Sequence, residues 1–150
     1  MLAAIVSAWA VAAPTMAAES CAGRPGADSL TVHVTGLRNA QGEVAVTLYP
    51  DDARRFLAPG GKLLRQRVKA EAPVSRACFW VPAPGVYAVT VYHDANADRD
   101  FNRNPLGLPT EGFGVSNDAP TKFGLPAFEM VRFRVKAGQS MIAIKMRYAR

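Results

Sequence analysis

The sequence has few of the residues on which zinc enzymes and covalent hydrolases depend. Its 150 residues include only two cysteines and two histidines, all far apart in the chain. A zinc site takes three or four such ligands close together, so none is predicted. The G-x-S-x-G elbow that presents a nucleophilic serine is also missing, because Asp118 stands at the position of its second glycine.

Long apolar runs are missing from most of the chain. The first 13 residues are apolar and uncharged, but they are fewer than the roughly 20 needed to span a bilayer as a helix. Small residues follow as far as Ala18, which predicts a signal peptide over residues 1–18, although no Lys or Arg follows Met1. We therefore expect a protein exported to the bacterial periplasm or exterior, with no transmembrane segment in the mature chain.

Internal repeats, low-complexity tracts and signs of a second domain are absent, and the length suits a single domain. Residues 19–28 are small and polar and are predicted to form an N-terminal tether. Residues 29–150 are predicted to form the one folded domain.

The two cysteines, Cys21 and Cys78, are predicted to form a disulfide, because an oxidising compartment favours the bond. In the chain-entropy model, closing a loop of this length stabilises the fold by about 4 kcal/mol. The alternative is a pair of free thiols, one of them buried.

The net charge of +6 comes from basic residues that alternate with apolar ones along predicted strands. This alternation is typical of a solvated strand face. In the cell envelope such a face would meet anionic lipid or glycan, which gives one candidate partner. The chain has no aromatic–basic binding motif, so nucleic acid is not expected as a partner. The basic residues concerned are Arg65, Arg67, Lys69, Arg132, Arg134, Lys136, Lys145, Arg147 and Arg150.

Apolar residues recur at every second position in about seven short runs, which is typical of half-buried strands. The first two runs are predicted to form a hairpin, and residues 86–93, apolar on both faces, a central strand. Together with Gly/Pro turns and no long helix, they predict an all-β antiparallel two-sheet sandwich of immunoglobulin-like or transthyretin-like Greek-key type. The runs are residues 30–35, 44–50, 64–69, 74–81, 86–93, 128–135 and 139–148.

One long connection, from Asp94 to about Pro126, contains the least ordinary chemistry. A loop of this length in a compact domain needs internal order and tends to be functional. Asp or Asn stands at alternate positions, as in calcium loops of the D-x-[DN]-x-[DN] type, so calcium is the candidate cofactor. It is not an EF-hand, because Arg99 replaces the turn glycine and Pro105 the bidentate glutamate. The candidate ligands are Asp94, Asn96, Asp98, Asp100, Asn102 and Glu111.

The same pattern has an alternative interpretation that needs no metal. Asp and Asn side chains accept hydrogen bonds from their own backbone in Asx-turns, which would order the loop without an ion. In that case Arg99 and Arg103 would neutralise the carboxylates.

A hydrolase-like enzyme is a second hypothesis for this region. It would use His93, Asp94, Glu111 and Ser116, and it requires His93 to reach Ser116 or a water held by Glu111. The sequence contains no complete set of nucleophile, base and orienting residue, so a hydrolase remains the alternative hypothesis to a non-enzymatic domain.

Residues 85–96 and 106–117 resemble the domain of unknown function 2141 (DUF2141) family. Its pattern joins a strand ending in His-Asp-x-Asn to a later segment of the form G-[IL]-P-x-E-G-[YF]-G-x-S-N. The resemblance implies a small exported bacterial β-domain and brings no assigned activity. The sequence departs from the family pattern at Arg99, where a small turn-forming residue is usual. The matching motif positions are His93, Asp94, Asn96, Gly107, Pro109, Glu111, Gly112, Ser116 and Asn117.

The sequence therefore predicts an exported, non-enzymatic β-sandwich whose Asp/Asn-rich loop is a binding surface, ordered either by calcium or by its own Asx-turns. The hydrolase and the basic surface for anionic envelope components remain as alternatives.

Overall fold

The computed structural model describes residues 20–121 and 124–149. The signal peptide predicted over residues 1–18 lies outside these residues, as does Arg150. Among the described residues, no helix is long and apolar enough to cross a membrane.

Two β-sheets pack face to face, so the predicted all-β two-sheet sandwich is confirmed. The smaller sheet has the order β4-β1-β8, and the larger has β3-β2-β5-β6 with β7 also paired to β5. All pairs are antiparallel except β1 with β8, which run parallel. The strands are β1 (Ser29–Thr35), β2 (Glu43–Pro50), β3 (Leu64–Lys69), β4 (Val74–Trp80), β5 (Gly85–Asp94), β6 (Gly112–Val115), β7 (Phe133–Val135) and β8 (Gln139–Lys145); a helical turn, α1 (Phe128–Val131), precedes β7.

The core lies between the sheets and is built from alternate residues of each strand. Five of these core residues, one from each of five strands, are 0% exposed: Val32, Val46, Phe79, Val89 and Ile144. Burying each such side chain contributes roughly 1.5–3 kcal/mol, so the period-two pattern accounts for the packing of the two sheets.

The predicted hairpin between the first two strands is wrong. Strand β1 pairs with β4 and β8 in one sheet, whereas β2 pairs with β3 and β5 in the other. The connection between them, residues 36–42, is long enough to cross from sheet to sheet, and its Leu37 packs against the core. Alternation identifies a strand and its buried face, but it does not specify a partner.

The predicted strand over residues 128–135 is half wrong. Its first part is α1, and only Phe133–Val135 forms a strand. Phe128 and Val131, three positions apart, share one face of a helical turn and both pack on the outer face of the larger sheet. The expected central strand, β5, is confirmed, since β2 lies on one side and β6 and β7 on the other.

The edge formed by β4 is fastened by several independent contacts. The predicted disulfide between Cys21 and Cys78 is confirmed. Within the segment predicted to be a tether, the Ala22 N–H donates to the Cys78 carbonyl at 2.8 Å. From the other sheet, the Gln66 side chain accepts from the Cys78 N–H at 2.7 Å and so links the two layers.

Candidate cation site in the loop after strand β5

The loop starts at Asp94, the last residue of β5, which is fully buried. Its backbone is held by the turn before β2. A Cβ placed on Gly42 would lie 2.0 Å from the Asp94 carbonyl oxygen, and Gly42 has a φ of +68°. Only glycine fits a position that combines this close approach with a left-handed backbone. The turn therefore fixes the point at which the loop leaves the sheet.

The Asp94 carboxylate organises the loop by accepting three hydrogen bonds. Its Oδ1 accepts from the backbone N–H of Asp98 at 3.1 Å, and its Oδ2 from that of Arg99 at 2.8 Å. The third donor is the Arg67 side chain, whose Nη1 lies 3.0 Å from Oδ2. Ala97 and Arg99 both have positive φ, so these bonds hold the chain in turns that glycine usually makes.

The sequence predicted that Arg67 lies on a solvated strand face together with Arg65 and Lys69. That prediction is wrong for Arg67. Its guanidinium folds under the loop, where Nη2 donates to the Tyr92 hydroxyl at 2.6 Å and to the Arg99 carbonyl at 3.1 Å. Its side chain is 17% exposed, and that of its partner Asp94 is 0% exposed. Arg67 is therefore a structural residue of the loop.

Three carboxylates meet at one point above the end of β5. One oxygen each from Asp94, Asp98 and Glu111 lie within 4.8 Å of one another. Two oxygens on opposite sides of a calcium ion, each about 2.4 Å from it, would be about 4.8 Å apart. The three oxygens are thus spaced as ligands of one such ion would be.

Two of the three carboxylates, those of Asp98 and Glu111, have pKa values shifted in opposite directions. The backbone N–H of Asp100, 2.9 Å away, and then the side-chain amide of Asn102 lower the pKa of Asp98, so Asp98 stays ionised. Burial raises the pKa of Glu111, and the charges of Asp94 and Asp98 add to that rise. The ionised form of Glu111 is consequently disfavoured unless positive charge is brought close to it.

The remaining predicted ligands fall into two groups. The amides of Asn96 and Asn102 both donate to Asp98 Oδ2, at 2.7 and 3.0 Å, so they lie beside the carboxylates. The Asp100 carboxylate instead accepts from the N–H of Phe101 and is outside the three-carboxylate group.

Asx-turns are present in the loop, as the alternative interpretation predicted. Asp98 N–H donates to the Asn96 side chain at 3.3 Å, and Asn104 Oδ1 accepts from the N–H groups of Leu106 and Leu108, each at 3.0 Å. The expectation that Arg103 neutralises a carboxylate is wrong, because its guanidinium donates to the Gly107 carbonyl at 2.9 Å. Self-capping supplies the loop's order, but it leaves the convergence of three carboxylates unexplained.

His93 is fully engaged below the loop. Its Nε2 lies 2.7 Å from the Gln41 carbonyl, which can only accept, so Nε2 carries a proton. In the neutral ring Nδ1 then accepts from the Tyr148 hydroxyl, also at 2.7 Å, and that hydroxyl in turn accepts from the Arg38 N–H. Both ring nitrogens of this buried side chain are thus used in joining three parts of the chain.

Ser116 and Asn117 also bond to the backbone. Ser116 Oγ accepts from the Val89 N–H at 3.0 Å and donates to the Val131 carbonyl at 2.5 Å. The Asn117 amide donates to two carbonyls next to Val131, and its φ of +61° suits asparagine. Ser116 therefore bonds to backbone groups and not to His93, so the first of the two arrangements that the hydrolase hypothesis allows is not formed.

The other motif positions shape the segment that returns from the loop. Gly107 has a φ of +80° at the tip, and Pro109 pairs with Arg103 to close that tip. A Cβ on Gly112 would lie 2.5 Å from the Tyr148 ring, so glycine lets this ring lie against β6.

Two more of the basic residues have partners within the protein. Arg147 donates to the carbonyls of Asp118 and Ala119, at 2.6 and 3.0 Å. Arg132 pairs weakly with Asp51 at 3.8 Å. Arg67 and Arg147 are therefore not free members of the basic surface expected from the sequence, whereas Arg132 stays exposed.

Sequence reasoning missed Arg67, Glu43, Gln41 and Tyr148 as parts of this region. Glu43 stands opposite Asp94 across β2 and β5, and Arg67 Nη1 is 3.7 Å from its carboxylate. All four residues lie more than 20 positions from the residues they contact, so no local spacing could have indicated them.

The model of the family described as "Uncharacterized protein conserved in bacteria (DUF2141)" matches residues 32–143. The chain belongs to the DUF2141 family. The matched region includes all of the candidate cation site of this DUF2141 protein, from Glu43 to Glu111. Comparison with curated proteins and with solved structures gave no match.

Proposed function

We propose that this DUF2141 protein is an exported, non-enzymatic β-sandwich whose Asp/Asn-rich loop is a binding surface ordered by calcium. One observation carries the proposal: the convergence of Asp94, Asp98 and Glu111 at a spacing that suits one shared cation. The side-chain oxygens of Asn96 and Asn102, which border Asp98, would complete a set of hard oxygen ligands.

The local charge supports a cation. Among the described residues, Arg67 is the only basic side chain within ion-pair distance of these three carboxylates, and it contacts only Asp94. Asp98 and Glu111 have no such partner. The cluster is thus net negative in a chain of net charge +6. Burial, and then repulsion by Asp94 and Asp98, raise the pKa of Glu111, and a divalent cation would offset both by favouring the ionised form.

The export half of the proposal is supported by the disulfide, since such bonds persist in oxidising compartments and are rare in the cytosol. The non-enzymatic half is supported by the hydrogen bonds of His93 and Ser116, which hold both side chains against other parts of the fold.

Calcium is expected to stabilise the wild-type protein against thermal unfolding. A ligand that binds only the native state adds about 2.7 kcal/mol at 100 times its Kd, and the melting temperature should rise with calcium concentration. Differential scanning calorimetry after chelation and with added calcium measures this, and isothermal titration gives the stoichiometry, which should be one.

Two substitutions in the same loop provide a matched comparison. Asp98→Asn removes a carboxylate of the cluster and should abolish the calcium-dependent rise. Asp100→Asn removes a carboxylate two positions away that lies outside the cluster, and it should leave the rise intact. Equal loss in both variants, or no rise in the wild-type protein, would contradict the proposal.

Glu111→Gln is expected to stabilise the calcium-free protein near neutral pH. Burial raises the pKa of Glu111 above its usual value of 4.5, so the folded state holds this proton more tightly than the unfolded state does. The stability of the wild-type protein therefore falls as pH rises from about 4.5 through the folded-state pKa. Glutamine carries no charge and escapes this loss.

Urea unfolding between acid and neutral pH, in the presence of a chelator, measures this effect. The two proteins should be equally stable well below pH 4.5, where Glu111 is protonated in both states, and diverge as the pH rises past that value. With calcium added, the order should reverse, because the glutamine variant lacks a ligand. Glu129→Gln, at an exposed glutamate of α1, is the control and should follow the wild-type curve. A wild-type protein that is always the more stable would refute the assignment.

A further inference from the structure

A cleft of about 190 Å³ opens on the outer face of the larger sheet. The cleft follows the outward-facing residues of β5. At one end Tyr49 of β2 lies opposite Ala88, Thr90 lies in the middle, and Tyr92 lies at the other end. Four residues of a strand extend about 13 Å, which is enough for one small molecule. The cleft is separate from the three-carboxylate cluster, none of whose residues line it.

The walls of the cleft are largely apolar, and four of the residues that line it are aromatic. The Tyr92 and Phe101 rings have centroids 5.4 Å apart, and the Phe101 and Phe113 rings 6.1 Å apart, so they form one continuous wall. Leu57, 37% exposed, and Leu125, 58% exposed, also line the cleft. Large apolar side chains left open around a concavity indicate a binding site more than a packing surface.

One cation is built into this apolar surface. Arg65 of β3 lines the cleft, and its Nε donates to Thr47 Oγ1 at 2.8 Å. Thr47 is itself 1% exposed, so a buried hydroxyl anchors the guanidinium. Over residues 20–121 and 124–149, the terminal nitrogens Nη1 and Nη2 of Arg65 have no hydrogen-bond acceptor or carboxylate partner. The charge is held in place, and its two outer donors are available to an anion.

We infer that this cleft binds a small aryl carboxylate. An arginine fork donates two parallel hydrogen bonds to a carboxylate, and the aromatic wall offers edge or stacked contacts to a ring. The volume fits one ring with a short substituent, since an apolar cavity of about 150 Å³ holds benzene. The inference goes beyond the proposed function, because it does not need the cation: the ligand would take its charge partner from Arg65.

Phenylacetate and its neutral isostere phenylacetamide test the inference on the full mature chain by ¹H–¹⁵N correlation spectra. Both compounds should shift the amides of Thr90, Tyr92 and Phe113, because both place a ring in the cleft. Only phenylacetate should shift the Arg65 Nε–H signal, and it should bind about tenfold more tightly, as expected for one charge-assisted contact.

Arg65→Gln should lower phenylacetate affinity to that of the amide while leaving amide binding unchanged. Arg134→Gln, at an exposed arginine of β7, is the matched control and should bind both compounds as the wild-type protein does. Equal affinities for the two compounds in the wild-type protein, shifts away from the cleft, or no shifts at all would overturn the inference. Circular dichroism of each variant confirms that it is folded.

Discussion

Arg67→Ala is expected to lower the free energy of unfolding by about 3–5 kcal/mol, the usual cost of removing one partner from a buried ion pair. Its partner Asp94 has a side chain with 0% exposure, so the substitution leaves a negative charge buried without its counter-ion. It also leaves the Tyr92 hydroxyl and the Arg99 carbonyl without their donor. Chemical denaturation in the presence of a chelator measures the loss.

Lys69→Ala is the matched control for this variant. Lys69 lies on the same strand, two positions further on, and is exposed, so its loss should cost less than about 0.5 kcal/mol. A cost for Arg67→Ala below about 1 kcal/mol, the range of surface ion pairs, would show that the loop does not depend on this contact.

The variant also bears on the cation proposal. If calcium binds at the cluster, it places positive charge beside the orphaned Asp94 carboxylate and should restore part of the lost stability. A double-mutant cycle with Asp94→Asn separates the coupling energy of the ion pair from the cost of burying an unpaired carboxylate. The double variant has neither of the two charges, so it carries no such cost. Calcium should rescue the single Arg67→Ala variant and not the double one.

Removing the Cys21–Cys78 disulfide is expected to cost about 4 kcal/mol. The two cysteines are 57 positions apart, and the bond restricts a loop of that length in the unfolded chain. The backbone hydrogen bonds of Ala22 to Cys78 and Trp80 stay in the folded state but cannot restrain the unfolded one. The double variant Cys21→Ser, Cys78→Ser, compared with the wild-type protein by urea unfolding, gives the difference.

Reducing the wild-type protein with a phosphine removes the cross-link without changing any side chain other than the two cysteines. It therefore distinguishes the stability lost with the cross-link from that lost through the serine substitutions. Cys78 is 8% exposed, so serine there adds a cost for its buried hydroxyl that the reduced wild type does not have. Reduced wild type and the double variant should therefore both fall well below oxidised wild type, with the variant slightly lower. Reduction that leaves the unfolding midpoint unchanged would show that the bond adds no stability.

Strand positions were predictable because each strand carries a local signal. Apolar residues at every second position, such as Val44, Val46 and Leu48, share one face of the chain and reveal a strand without reference to any partner. The two elements that were not predicted, β6 and α1, lack this local signal. Strand β6 was hidden in the loop because its four residues include two glycines, and α1 because Phe128 and Val131 pack on a surface made by distant residues.

The candidate site was only partly predictable from the sequence. The alternation of Asp and Asn after His93 indicated where carboxylates and amides would concentrate, and Glu111 was a candidate ligand from further along the loop. Which carboxylates meet depends on the path of the loop, so Asp98 joins the cluster and Asp100 does not. Arg67 was misread as a surface residue because alternation gives the face of a strand, not what later covers that face.

The amino-acid sequence by itself determined the class of fold, the position of most strands, the cysteine pairing and the place of the unusual loop, because each depends on short-range patterns or on a single available pair. Only the tertiary structure decided which strands are neighbours, which charges are buried together and where a cleft lies between aromatic side chains. These depend on contacts between residues far apart in the chain, such as Arg67 with Asp94 and His93 with Tyr148, and no local spacing encodes them.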